Sequence, residues 1–169
     1  MALKIKNVKH KPARDGRTNT WCGPAAVSAI LGITAEVAAK RIKAFRVRNP
    51  FATRKGFSNR KNSAHGIGWA YTSEVLAVIQ SSGYPGTINH NDKLVRWKRE
   101  HGTRQTLAQW DANRAPADRL KLFLVVLSDH FIVVQGDKLV DNHYNNGTTL
   151  SECKTWKRTR LTDVYEIRK

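Results

Sequence analysis

Apolar residues recur every three to four positions in the first half of the chain, and every second position or in unbroken short runs in the second half. Cys22-Gly23-Pro24-Ala25-Ala26-Val27-Ser28-Ala29-Ile30-Leu31-Gly32 predicts a first helix. Proline is tolerated in an opening turn because its missing N–H has no helical partner there, and Gly32 suits the stop. Thr34 reads as the N-cap of a second helix reaching about Phe45, with Val37, Ala38, Ile42 and Phe45 on adjacent faces. Thr72 reads as the cap of a third helix bearing Val75, Leu76 and Ile79, ended by Gly83. Thr106–Asn113 predicts a short further helix. Beyond Pro116 the pattern becomes strands at Lys121–Leu127, Phe131–Val134, Leu139–Asp141 and Asp163–Ile167, and Leu3–Val8 alternates like an edge strand. Residues 46–68 follow neither period and carry Pro50, Gly56, Gly66 and Gly68, which predicts a basic loop insertion. Helices first and strands afterwards indicate an α+β domain spanning 1–169.

Composition narrows the class. The chain has 169 residues, a size at which a domain buries roughly 70% of its unfolded surface and needs no disulfide or metal staple. Thirty Lys and Arg oppose thirteen Asp and Glu, giving a net charge of +17. Such an excess attracts polyanions and says nothing about fold. Two cysteines, Cys22 and Cys153, are too few for a disulfide framework and lack metal-ligand spacing. No apolar run approaches the roughly twenty residues of a membrane helix, and Met1–Lys11 lacks the apolar stretch of a secretory signal. A reducing cytoplasm is therefore the expected compartment, with no membrane partner, metal or cofactor.

Chemistry enters with Cys22, His130 and Asp141. A nucleophilic cysteine acts as its thiolate, and a helix N-terminus favours an anion through its unpaired N–H groups and macrodipole. Cys22 stands there, and its own N–H is placed to meet a developing oxyanion. Among six histidines, His130 heads the apolar strand Phe131-Ile132-Val133-Val134, where a rigid edge positions an imidazole well. If Gly136-Asp137 is a two-residue hairpin turn, paired residue numbers sum to 273, His130 opposes His143, and Asp141 lies diagonally on the same face. A three-residue turn would bring Asn142 there instead. Singly, each residue has an ordinary structural reading: a packed cysteine, a hydrogen-bonded histidine, a turn carboxylate. Their conjunction carries the chemistry. Cys153 reads as an inert thiol.

Asn19-Thr20-Trp21-Cys22-Gly23-Pro24-Ala25-Ala26, followed by Asp129-His130-Phe131-Ile132-Val133-Val134-Gln135-Gly136-Asp137-Lys138-Leu139-Val140-Asp141-Asn142, resembles a papain-like cysteine peptidase. The nearest types are bacteriocin-leader (double-glycine) peptidases and small phage-encoded relatives. The resemblance implies a papain-like fold with an N-terminal nucleophile helix and a C-terminal antiparallel sheet. It also implies Cys22 as nucleophile, His130 as general base and acid, and Asp141 as the orienting group. It extends the expected compartment to a host cytoplasm or virion. The chain departs from that family in one place: no Gln occurs in residues 1–21 to supply the usual oxyanion donor, and Asn19 is the nearest carboxamide.

The implied activity is a thiol-dependent hydrolase, a small cysteine peptidase or isopeptidase acting on a protein or peptide. The alternative is a catalytically inactive basic module that binds nucleic acid or an acidic protein on the same scaffold. Lys40, Arg41, Lys43, Arg46, Arg48, Arg54, Lys55, Arg60 and Lys61 form the densest basic stretch, without an intervening acid, and Phe45, Phe51 and Phe57 interleave with them. That combination suits phosphate contacts with base stacking, and equally suits a solvated loop anchored by aromatics.

Overall fold

A computed structural model describes residues 3–9, 21–48, 70–128 and 130–169. The first helix, α1 (Cys22–Leu31), is buried from Gly23 to Ile30. Its small and apolar residues surround it on every side, which suits a helix at the centre of a core. Gly32 ends it in the left-handed conformation, φ 76°, and donates its N–H to Ser28 O at 2.8 Å. The Thr34 hydroxyl caps α2 (Ala35–Arg48) by accepting the Val37 N–H at 3.3 Å. Within α2, Ala38 and Ile42 are buried and Val37 is exposed. Helix α3 (Thr72–Ser81) is capped one residue earlier than expected, at Tyr71, whose N–H donates to the Glu74 carboxylate at 2.9 Å, and Thr72 is its first residue. Helices α1, α2 and α3 pack on one another.

A short strand β1 (Ile88–Asn89), helix α4 (Asn91–His101), helix α5 (Leu107–Ala112) and a 3-10 turn at Pro116–Leu120 lead into the remaining strands. These are β2 (Leu122–Leu127), β3 (His130–Gln135), β4 (Lys138–Val140), β5 (Thr148–Thr149) and β6 (Leu161–Ile167). The chain is thus mixed α+β. Its six strands, among the described residues, form one sheet in the order β1-β6-β2-β3-β4-β5, with every neighbouring pair antiparallel. Central β2 is buried at all six positions, which accounts for its unbroken apolar run.

Alternation along the strands builds two cores. Leu122, Leu124, Val126, Phe131, Val133 and Val140 face the α1–α3 layer. Phe123, Val125, Leu127, Ile132, Val134 and Leu139 face the opposite layer, where Leu107 of α5 is buried and Leu94 of α4 and Trp110 of α5 pack from the rim.

Three expectations are corrected. Leu3–Val8 is not an edge strand. Its N–H groups go instead to the Gln135 side chain (Ile5, 2.7 Å), Ala29 O (Lys6, 2.9 Å) and Asn145 O (Val8, 2.8 Å), so the segment seats Leu3, Ile5 and Val8 on the first core without a ladder. The basic loop does not start at residue 46, because α2 continues to Arg48. Arg46 makes a bidentate pair with buried Glu74 of α3 at 2.6 and 2.8 Å, and that tie holds the last helical turn in place. Helix α4 was not expected at all. Only Leu94, Val95 and Trp97 are apolar in its eleven residues, and none of the helix is buried. The rest of the loop, 49–68, lies outside the described residues.

Candidate active site

The hairpin between β3 and β4 turns on Gly136 and Asp137. Gly136 takes φ 60°, as the first position of a tight primed turn requires. Gln135 pairs with Lys138, Val134 with Leu139 and Val133 with Val140, the register of a two-residue turn. Asp141 therefore follows β4 on the His130 side. His130 Nε2 donates to Asp141 Oδ2 at 2.8 Å.

The carboxylate is fully buried and held by three more donors. Trp156 Nε1–H meets the same Oδ2 at 2.7 Å, while the His143 and Tyr144 N–H groups meet Oδ1 at 2.9 and 2.7 Å. Burial opposes its charge most strongly, but the bonds from His130, Tyr144 and Trp156 and the imidazolium charge outweigh burial. The Asp141 pKa is lowered as a result.

His130 is itself buried, and its ring stacks on Trp156 with centroids 4.0 Å apart and planes 22° from parallel. The second partner of its imidazole is the Cys22 side chain. A carboxylate can only accept, so Nε2 carries hydrogen toward Asp141, and Nδ1 is the nitrogen left for sulfur. Burial again works hardest against the charged form, yet the hydrogen bonds to Asp141 and Cys22 and their negative charge prevail and raise the His130 pKa. Cys22 is half-buried at the first position of α1, with Trp21 before it. Gly23 is required next to it: a Cβ there would lie 2.5 Å from the Ala70 Cβ.

The residues named from sequence thus divide. Cys22, His130 and Asp141 converge where the α1 layer meets the end of the sheet. Asn142 is buried next to Asp141 in the chain, and the His130 Nε2 goes to Asp141. Asn19, Arg54, Lys55, Arg60 and Lys61 lie outside the described residues. Lys40, Arg41, Lys43, Arg46 and Arg48 all lie on α2, where Arg46 is committed to Glu74 and Arg41 Nη1 donates to Ser82 Oγ at 3.0 Å. Both cysteines are free thiols. Cys153 is buried, and burial first, then the Asp141 charge, pushes its pKa up, which suits an inert thiol.

Trp156 is the residue the sequence reading passed over. It sits in the turn-rich stretch Lys154-Thr155-Trp156-Lys157, where no periodicity assigns it a partner. Only a tryptophan amid cations in an irregular segment marks it, and that pattern is too common to single it out.

Among the described residues no His, Cys, Asp and Glu group has the arrangement to hold a metal, and no helix is long and apolar enough to cross a membrane. No family model, curated protein or solved structure matches the chain.

Proposed function

We propose that this protein is a papain-like thiol hydrolase that cleaves an amide or isopeptide bond in a protein or peptide through Cys22, His130 and Asp141. The observation that carries the reading is the buried His130–Asp141 hydrogen bond of 2.8 Å, with the Cys22 side chain acting on the same imidazole. A raised imidazole pKa beside a thiol favours the imidazolium–thiolate pair, and Asp141 keeps the ring turned toward the sulfur.

The reaction then proceeds in two halves. Thiolate attacks the carbonyl carbon, and the oxyanion rests on the N–H groups at the start of α1. Imidazolium gives its proton to the departing nitrogen, the C–N bond breaks, and a thioester remains. Neutral imidazole next takes a proton from water, whose oxygen attacks the thioester. The carboxylic acid leaves and the thiolate–imidazolium pair is restored.

A thiol-directed peptidase inhibitor tests this directly. Intact mass and peptide mapping should show one adduct, on Cys22, formed roughly a hundredfold more slowly in His130→Ala. Labelling spread equally over Cys22 and Cys153, or a rate untouched by His130→Ala, would overturn the proposal and leave the inactive basic module standing.

A further inference from the structure

On the face of the sheet that bears α4 and α5 lies a cleft of about 260 Å³, separate from Cys22, His130 and Asp141. Phe123 of β2 and Val164 of β6 lie at its base, and Trp97 of α4 and Trp110 of α5 are half-buried in its walls. Trp97 already holds one stacked ring, His101, at 3.7 Å with planes 8° from parallel. Trp110 meets Phe123 edge-on at 5.5 Å.

Cations surround these rings. Lys93 and Arg96 line the cleft from exposed positions on α4, and Arg114 lies behind Trp110 with its guanidinium carbon 4.8 Å from the ring centroid. The Arg114 side chain is only 2% exposed. Its Nε and Nη2 bond to Asp111, and Nη2 also donates to Gly136 O at 2.6 Å. Nη1 is buried with no partner among the described residues. An acceptor that parts this wall meets a donor whose hydrogen bond is otherwise unmade, a costly condition for a buried group. Two acids also line the cleft: Glu100, which is exposed, and Asp118, which is held by Lys121 at 2.7 Å and approached by Lys93 at 3.7 Å.

From these observations we infer that the α4–α5 cleft binds single-stranded polynucleotide, taking an unstacked base against Trp97 and Trp110 while Lys93 and Arg96 meet the flanking phosphates. The volume suits one planar base and is small for a drug-sized ligand or dinucleotide cofactor, whose pockets run from roughly 300 to 1,000 Å³. Positive charge continues past the cleft on exposed Lys98, Arg99, Arg104 and Arg160, and Arg160 Nη1 donates to Arg104 O at 2.8 Å. Cations on neighbouring exposed positions suit a chain of phosphates better than a single nucleotide. A duplex hides its base faces, so only an unpaired strand can use the two indoles. The inference does not depend on thiol chemistry, and Cys22→Ser should bind as the unaltered protein does.

Anisotropy of fluorescein-labelled dT15 and rU15, titrated with the full chain at several salt concentrations, tests it. Both strands share the recognised chemistry, and the tighter of the two identifies DNA or RNA as the source. Affinity should fall with salt, with a log–log slope of about −0.7 for each phosphate contacted. Lys93→Glu with Arg96→Glu should weaken binding at least tenfold and flatten the slope by about 1.4. Trp97→Ala should weaken binding by about fivefold or more, and Trp97→Phe should recover most of the loss. Because Lys93 and Arg96 are exposed, their paired variant folds even if Trp97→Ala does not. The inference fails if the paired variant binds like the parent, or if Lys40→Glu with Lys43→Glu on α2 weakens binding as much. It also fails if a duplex binds as tightly, or if poly-glutamate displaces the oligonucleotide at equal charge, which would assign the cleft to an acidic protein.

Discussion

Asp141 accepts four hydrogen bonds while fully buried, and His130 lies between that carboxylate, Trp156 and the Cys22 thiol. Each neighbour has a separable effect. Asp141→Asn keeps the shape and removes the charge that holds the imidazole protonated. The pH at which thiol labelling loses its imidazolium-dependent component should then move down by about one unit or more. An unmoved profile would show that Asp141 does not tune His130. Trp156→Ala uncovers the His130–Asp141 bond to water and removes a donor from Oδ2. About a tenfold slower labelling of Cys22 is expected, equivalent to ~1.4 kcal/mol, and Trp156→Phe should restore part of the rate because it keeps the stacked cover. Equal losses in both variants would assign the effect to the indole N–H alone.

The same pair sets a stability window. The Asp141 pKa is lowered on folding, so its contribution is present above the unfolded carboxylate pKa and is lost as pH falls through the lower folded value. The His130 pKa is raised, so its contribution is present below the unfolded imidazole pKa and is lost as pH rises through the higher folded value. Both are complete between about pH 4 and 6.5. The Tm difference between the parent and Asp141→Asn should therefore be widest there and narrow on either side, which a series of melts across pH would show.

At the scale of elements, the site depends on how closely α1 approaches the chain entering α3. Gly23 follows the reactive cysteine, and a methyl group there would meet the Ala70 Cβ at 2.5 Å. Gly23→Ala should destabilise the fold by roughly 1–3 kcal/mol and slow Cys22 labelling, since α1 must move to relieve the contact. Ala70→Gly removes the opposing methyl, so the double variant should recover part of both losses, a coupling that thermal melts of the four proteins would measure. Independent, additive losses would mean that the two positions do not meet. How far such elements were legible depended on how local their causes are. Helix α1 was legible because it is buried on all sides, and the β3–β4 register because Gly136 and Asp137 are turn residues between alternating strands. Register in turn brought Asp141 to His130. Helix α4 left little trace because its folding rests on contacts remote in sequence: the Val164 N–H donates to Asn91 Oδ1 at 3.0 Å, and the His90 N–H to Val164 O at 2.9 Å. Trp156 escaped for the same reason, being brought onto His130 only by the fold of the segment after β5. The Leu3–Val8 pattern misled because a segment can seat Leu3, Ile5 and Val8 on a core without a neighbouring strand.

For the molecule as a whole, the excess of positive charge opposes compactness. Thirteen acids face thirty Lys and Arg, and Glu74, Asp111, Asp118, Asp137, Asp141 and Glu166 are already engaged in ion pairs. Cations outnumber acids by seventeen, so their mutual repulsion is left to counterions. The Debye length shrinks from about 30 Å at 0.01 M to about 8 Å at 0.15 M, so repulsion across the surface is screened well before short buried pairs such as Arg46–Glu74 are weakened. Sodium chloride should therefore raise Tm over this range, whereas a protein held mainly by surface ion pairs would lose stability. Melts at constant pH in 0.01, 0.05 and 0.15 M salt separate the two cases, and a falling Tm would show that the net charge is balanced locally. A single-stranded oligonucleotide added at 0.01 M should raise Tm further, because a ligand held only by the folded chain stabilises it by mass action. That increment should shrink as salt is added while the salt-only baseline climbs. Opposite slopes of this kind would distinguish bound polyanion from simple screening.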